Sequence, residues 1–252
     1  MSETKIAIVT GGSRGIGRAA VLCLAKRGVK IILTYNSNRA EADKVVALVK
    51  EAGSEAVALQ FDVGRMAGFD AFVENVKGAL AELGADRFDY LANNAGTSSA
   101  ASLLSITEAE MDDLYAVHFK GPLFLTQKLL PLINDGGRIV NVSSGLARFA
   151  MPGRIGYGSI KAAVEQMTRY MAVELGPRRI AVNVVAPGAI ATDFSGGMVR
   201  DNPQVNQAVA GITALGRVGL PEDVGPVIAG LLSEEFGWVN AQRIEVAGGV
   251  HI

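Results

Sequence analysis

The stretch YGSIK, residues 157–161, sets a tyrosine and a lysine four positions apart, and Ser144 lies 13 residues upstream of the tyrosine. Side chains four apart in a helix share a face, so Tyr157 and Lys161 meet wherever that segment is helical. A free tyrosine, with a pKa of about 10, is a poor base near neutrality. An adjacent ammonium favours phenolate and lowers that value, which makes proton exchange with a substrate oxygen feasible. Tyrosine and lysine at this spacing also occur as ordinary helix decoration. What argues for chemistry is Ser144, which closes an apolar run of strand type, where doubly wound sheets carry their sites.

A glycine-rich turn is the second constellation. VTGGSRGIGRA follows the first apolar run and opens a helical segment, so Gly11, Gly15 and Gly17 allow a tight turn whose backbone N–H groups can approach a pyrophosphate. Their spacing is G-x-x-x-G-x-G rather than the usual dinucleotide G-x-G-x-x-G. A turn that only packs a helix closely on a strand would need the same glycines. His118 is the third candidate, because the only other histidine is His251 and imidazole readily moves protons near neutral pH. Leu114, Val117, His118, Gly121 and Leu125 recur at helical spacing, which turns His118 inward, either as a core histidine with satisfied nitrogens or as a proton carrier.

These residues need a scaffold that gathers them. Apolar, β-branched runs at 5–10, 29–35, 56–62, 88–94, 137–143, 180–186 and 242–248 are continuous rather than alternating, as strands buried on both faces are. The segments 15–28, 38–52, 65–84, 107–133 and 157–176 between them are long enough for crossover helices. The expected fold is α/β: a single-domain, Rossmann-type, doubly wound parallel sheet of about seven strands with helices on both faces, residues 1–252 forming one domain. Residues 188–220, glycine-rich and weakly periodic, are expected to form a lid over the substrate.

Composition narrows the partners. A net charge of −1 gives no general attraction for nucleic acid or an anionic membrane, so a small molecule is the expected partner. Cys23 stands alone, which excludes an internal disulfide framework and fits a reducing compartment. The polar start, Met1 to Lys5, runs into an apolar segment too short for a signal peptide or a membrane span. A cytoplasmic location is expected, and no metal site.

The chain resembles the short-chain dehydrogenase/reductase family. The resemblance rests on the T-G-x-x-x-G-I-G turn, Thr10 to Gly17, on NNAG at 93–96, YGSIK at 157–161, PGAIAT at 187–192 and the closing EVAGGVHI, in the family's order along the whole chain. It implies hydride transfer between a nicotinamide cofactor and a ketone or secondary alcohol. Tyr157 would pass a proton to the carbonyl oxygen, Ser144 would hydrogen-bond that oxygen, and Lys161 would hold the nicotinamide ribose. An oxyanion-type donor of this kind is worth on the order of 3 kcal/mol. The implied cofactor contacts include Ser13 and Ile16 in the glycine turn, the adenine pair Asp62 and Val63, and Asn94, Ala95 and Gly96 along the adenosine. Asn93 could instead hold neighbouring strands together. Pro187 and Gly188 turn the chain, and Ile190 and Thr192 would meet the carboxamide, although a plain strand-ending turn would look the same.

Charge decides the expected cofactor type. NAD-binding folds usually place an acid on the adenosine ribose about 20 residues past the glycine turn. Here Tyr35, Asn36, Ser37 and Arg39 stand there, with no acid before Glu41, and Arg14 would by the family resemblance face the same 2′-phosphate. Guanidiniums offer that phosphate charge-assisted hydrogen bonds, so NADP(H) is expected. For Arg39 a solvated place at a helix start is the equal alternative. His118 departs from the family, standing in HFKG where the family's N-x-x-G holds a water that passes protons toward the lysine. With two ring nitrogens that donate and accept, it would support proton supply without touching substrate.

The resemblance is nearest to the bacterial β-ketoacyl carrier-protein reductases and broad carbonyl reductases, and it implies a homotetramer paired through the helices at 107–133 and 157–176. A non-catalytic NADP(H) sensor or a structural subunit of a mixed oligomer would keep the glycine turn without needing Ser144, Tyr157 and Lys161. Leu146, Phe149, Met151, Phe194 and Met198 suggest an apolar substrate lining.

Overall fold

The computed structural model describes residues 4–252; the first three residues of the polar start lie outside them. Seven strands form one parallel sheet: β1 Ile6–Val9, β2 Lys30–Tyr35, β3 Ala56–Gln60, β4 Phe88–Asn93, β5 Ile133–Val142, β6 Ala181–Pro187 and β7 Arg243–Val246, in the order β3-β2-β1-β4-β5-β6-β7. The α/β fold read from the sequence is the one observed.

The continuous apolar runs are explained by two cores. Ile6 and Ile8 of β1 join one layer with Phe69, Leu80, Leu125 and Met167, whereas Ala7 and Val9 join the other with Val21, Leu24, Val45 and Ile228. Neighbouring residues of β1, β4 and β6 are therefore buried on opposite faces, while the edge strands β3 and β7 are only half-buried, and each large apolar side chain taken from water stabilises by about 1.5–3 kcal/mol. On the first face lie α3 Phe69–Glu82, α4 Glu108–Tyr115, α5 Gly121–Leu129 and α6 Ile155–Leu175; on the second lie α1 Gly15–Ala25, α2 Arg39–Glu51 and α9 Pro221–Leu231.

The expected helix at 107–133 is interrupted. It opens on a capping box, with the Thr107 side chain and Glu110 satisfying each other's backbone, and then widens to a π turn over Ala116–Lys120 before α5. Pro122 has no N–H to give the carbonyl four residues back, that of His118, so the α ladder cannot run through. Strand β5 also starts earlier than expected, at Ile133 rather than 137. The presumed lid contains helices that weak periodicity hid, α7 Met198–Asp201 and α8 Pro203–Gly211, entered through Ser195, Gly196 and Gly197, all at positive φ. Helix α9 was not foreseen either. Its Gly225 lets it lie on α1, since a Cβ there would come within 2.8 Å of the Ala19 Cβ.

Strand order reverses between β1 and β4, each continuing to its own side. Crevices outside the carboxyl ends of strands at such a point are where α/β sheets bind ligands. Val9 pairs with Ala92, Asn93 with Asn141, and Pro187 with Val246. The glycine turn, the NNAG segment, Ser144 and the PGAIAT turn thus leave the sheet at one edge.

Candidate active site

Ser144 follows β5 and begins a 3-10 turn, Gly145–Ala147, with its Oγ accepting from the Leu146 N–H at 3.2 Å. Tyr157 and Lys161 sit in the first turns of α6, on its buried face. The Lys161 Nζ donates to the Val142 carbonyl at 2.8 Å and lies 5.5 Å from the centroid of the Tyr157 ring. Leu146 packs against the cluster of Leu114, Tyr157 and Ile160, and the Phe194 ring, from the segment 188–220, stands 6.1 Å from the tyrosine ring. Serine, tyrosine and lysine are brought together as their spacing suggested.

Their electrostatics differ from the expectation. Burial pushes the Tyr157 phenol up to about 12, outweighing the opposing pull of the Ser144 hydroxyl and of the Arg154 charge. Burial likewise pushes Lys161 down to about 7. The lysine does not make a phenolate of its neighbour: its nitrogen is turned to a backbone carbonyl, and both groups are out of water, where the charged form of each is disfavoured. The chain holds Tyr157 as an acid and poises Lys161 near neutrality.

His118 is 2 % exposed, inside the π turn. Its Nε2 stands 2.8 Å from the Thr97 carbonyl oxygen and 3.2 Å from the Thr97 nitrogen. One nitrogen cannot donate and accept at once, and the shorter contact favours Nε2–H donating to the carbonyl, which leaves Nδ1 as the acceptor. That Nδ1 is buried with no partner among the described residues. Burial, then the Lys161 charge, hold the imidazole pKa well below its ordinary value. The ring meets Tyr157 edge-on at 5.4 Å, and a Cβ on Gly96 would strike its Cε1 at 2.7 Å.

The glycine turn is built for close approach. Gly11 and Gly15 have positive φ, and a Cβ on Gly17 would fall 2.2 Å from the Gly11 carbonyl oxygen and 2.5 Å from Asn94 Nδ2. Asn94 in turn donates to the carbonyls of Thr10 at 2.9 Å and Gly11 at 3.2 Å, while the Thr10 hydroxyl accepts from the N–H groups of Asn94 and Ala95. Arg14, the extended residue just before helix α1, gives it no side-chain cap, so the first N–H groups of the helix are unclaimed by a side chain, the arrangement that receives a phosphate. A Cβ on Gly15 would lie 3.3 Å from Thr192 Cγ2, which puts the PGAIAT turn against this cradle. Ser13 and Tyr35 are buried and Ile16 half-buried; Arg14, Asn36, Ser37 and Arg39 are exposed around the rim.

Other expected residues occupy their places with mixed duties. The Asp62 carboxylate accepts from the Gly64 N–H at 2.9 Å, and Val63 is buried beneath Gly121, where a Cβ would come 2.4 Å from its carbonyl. Gly188 donates to the Val246 carbonyl, and Ile190 bridges Gly219, tying the start of the segment 188–220 to its end. Pro187 ends β6. Arg39 is turned to Asp43, 3.5 Å away. Asn93 is a strand tie, donating to Thr126 at 3.2 Å and to Asn141 at 2.9 Å.

The same chain plan recurs in known proteins. A family model described as enoyl-(acyl carrier protein) reductase matches residues 11–251. A versicolorin reductase of Emericella nidulans is 34% identical over 98% of this chain and 96% of its own. The protein is a short-chain dehydrogenase/reductase. Two solved structures superpose closely: the promiscuous reductase LugOII, which catalyses keto-reduction at C1 during lugdunomycin biosynthesis, at TM-score 0.93 and 37% identity over 97% and 96% of the two chains, and the angucycline C-6 ketoreductase LanV with bound NADP, at TM-score 0.92 and 35% identity over 97% and 95%. This short-chain dehydrogenase/reductase is accordingly an oxidoreductase.

Two contributors to its site escaped the sequence. Arg154 donates to the Ser99 carbonyl at 2.7 Å and bears on the Tyr157 phenol; its position just before α6 was the only signal. The Val142 carbonyl, which fixes Lys161, is backbone and carries none. Among the described residues no helix is long and apolar enough to cross a membrane.

Proposed function

We propose that this short-chain dehydrogenase/reductase is an NADPH-dependent carbonyl reductase, acting on a small-molecule ketone, or on the secondary alcohol in reverse, through Ser144, Tyr157 and Lys161. The observation that carries the reading is the meeting of Ser144, just past the end of β5, with Tyr157 and Lys161 on the buried face of α6, the Lys161 Nζ 5.5 Å from the Tyr157 ring; a phenol that burial pushes up to about 12 suits a proton donor. That LanV was solved with bound NADP and that its relatives are named reductases support the same choice of cofactor and reaction.

The glycine cradle fits a dinucleotide because it has room only for bare backbone where Gly11, Gly15 and Gly17 stand. Gly11, Ser13, Gly15, Ile16 and Gly17 would hold the pyrophosphate, with Arg14 on the 2′-phosphate and Asn36, Ser37 and Arg39 on its rim. Asp62 and Val63 would meet the adenine, Asn94 to Gly96 the adenosine, and Pro187, Gly188, Ile190 and Thr192 the carboxamide. When bound, the nicotinamide supplies the hydride. Ser144 holds the carbonyl oxygen by donating to it, and Tyr157 gives that oxygen its proton as the carbon is reduced, leaving an alcohol and a phenolate. Lys161, near its own pKa at neutral pH, returns the proton to the phenolate and holds the ribose hydroxyls. His118, whose Nδ1 has no partner among the described residues and whose ring feels the Lys161 charge, supports that return without touching substrate. Leu146, packed on the cluster that contains Tyr157, and Phe194, whose ring is 6.1 Å from the tyrosine's, form the inner apolar wall, under a lid spanning 188–220. We further propose one catalytic domain over residues 1–252, a cytoplasmic homotetramer.

A panel of small and polycyclic ketones tests the reading. NADPH consumption that depends on a ketone, exceeding NADH consumption at equal concentration, is expected. NADPH binding with no turnover on any ketone or alcohol would favour a sensor instead.

A further inference from the structure

A chain of charges beside Ser144 has no part in this chemistry. Glu165 lies one turn beyond Lys161 on α6 and is 8 % exposed. Arg243 of β7 donates through Nε to Glu165 Oε1 at 2.7 Å and through Nη1 to Glu245 Oε2 at 2.9 Å. Arg148 then grips Glu245 with both arms of its fork, Nε to Oε2 at 2.8 Å and Nη2 to Oε1 at 3.0 Å. The signs alternate along the row, so every charge has an opposite neighbour.

Both ends of the row are tied to the backbone around Ser144. At the inner end the Ser143 hydroxyl lies 2.9 Å from Glu165 Oε1 and 3.1 Å from the Lys161 carbonyl, which fixes the residue just before Ser144. At the outer end Arg148 closes the 3-10 turn after Ser144, its N–H donating to the Gly145 carbonyl, and it is the Leu146 N–H of that turn that engages the Ser144 hydroxyl. Arg148 also donates to the carbonyls of Val250 and His251, at 2.9 and 3.0 Å, and the Phe149 and His251 rings meet at 4.6 Å. There is no slack at Gly145, where a Cβ would meet the Phe149 ring at 2.9 Å.

The inner pair, Arg243 with Glu165, is partly buried and the outer one, Arg148 with Glu245, lies at the surface; neither kind is strong evidence of stability alone. Their forked geometry, in contrast, fixes position. We propose that Glu165, Arg243, Glu245 and Arg148 are positioning residues for the Ser144 hydroxyl, with the Val250 and His251 carbonyls as their outer anchor. The proposal rests on the role assigned to Ser144 above. It makes the order of the C-terminal residues a condition of turnover, although none of them touches Tyr157.

The test is a double-mutant cycle. Arg148→Ala and Glu245→Gln are each made alone and together with Ser144→Ala, and ketone turnover, the NADPH KM and the circular-dichroism melt are recorded. Glu245→Gln keeps the side chain's size, so a folding failure of the alanine variant leaves a usable arm. Each single variant should lower kcat about ten-fold, the scale of a modest misplacement, with the NADPH KM unchanged. In the Ser144→Ala background the further loss should vanish. Losses that multiply instead, or folded single variants with wild-type kcat, overturn the proposal. A Ser144→Ala enzyme with normal turnover overturns the serine's role itself, and the proposal with it.

Discussion

Replacing His118 by leucine should remove a pH dependence of stability that the fold imposes. The native protein keeps this imidazole neutral, its pKa held well below 6.5 by burial first and the Lys161 charge second, whereas the unfolded chain titrates it normally. As pH falls below 6.5 the unfolded state binds a proton that the native state refuses, so the stability present above 6.5 is lost on the acid side. The loss is about 1.4 kcal/mol per pH unit, the slope of a one-proton difference, and so about 1.4 kcal/mol between roughly pH 7.5 and 5.5. Lys161, depressed from 10.5 to about 7, gains the protein stability as pH rises through that interval; it is common to both proteins and cancels in their difference. The substitution also strips Thr97 of its partner, but Thr97 is exposed and water can replace the ring, so the cost near neutrality should stay near 1 kcal/mol. Urea unfolding at fixed protein concentration measures both quantities. Far-UV circular dichroism is the suitable probe, because Trp238 is fully exposed in the chain. Wild type should lose about 1.4 kcal/mol more than His118→Leu over that pH interval. Parallel pH dependences would refute the claim that the imidazole is buried neutral. The same variant should turn over ketone more slowly, with a shifted pH profile and unchanged NADPH affinity, while His118→Asn keeps most activity.

Arg14→Ala should raise the NADPH KM about ten-fold and leave NADH nearly untouched, the worth of one exposed charge-assisted contact; equal losses for both cofactors in steady-state assays would show that Arg14 does not read the 2′-phosphate. Gly17→Ala should abolish the rise in melting temperature on adding NADPH, because its Cβ would fall 2.2 Å from the Gly11 carbonyl oxygen and force the turn open. Tyr170 and Val173 lie 63 % and 76 % exposed on α6, an apolar face that pairing in a homotetramer would cover, so light scattering should give a mass four times that of the chain. A monomer mass in dilute solution would contradict it.

The central strands were legible because both of their alternate faces are apolar: Ile8 and Val9 are both fully buried, in different layers. The gathering of Ser144, Tyr157 and Lys161 was legible from spacing and from the rule that strand ends share an edge. Helix α9 was not, since Gly225 and Pro226 blur its periodicity and the reason for the glycine is Ala19, some two hundred residues away on α1. The π turn was obscured because Pro122 acts on a carbonyl rather than on the apolar pattern. The titration of Tyr157 was not legible because residue types give the sign of a neighbouring charge but not how completely water is excluded from both groups. Arg148 gave no signal, its anchors being two carbonyls and a carboxylate brought near only by folding.

The central claim is that Tyr157 delivers the proton. Tyr157→Phe removes the phenol oxygen and preserves the shape of a side chain that is 9 % exposed. Single-turnover reduction of a ketone by enzyme preloaded with NADPH reads the chemical step without product release. The account predicts a rate lower by about 10²-fold or more, the scale of a positioned acid, at undiminished NADPH affinity. A phenylalanine enzyme reducing ketone at close to the wild-type rate would contradict it.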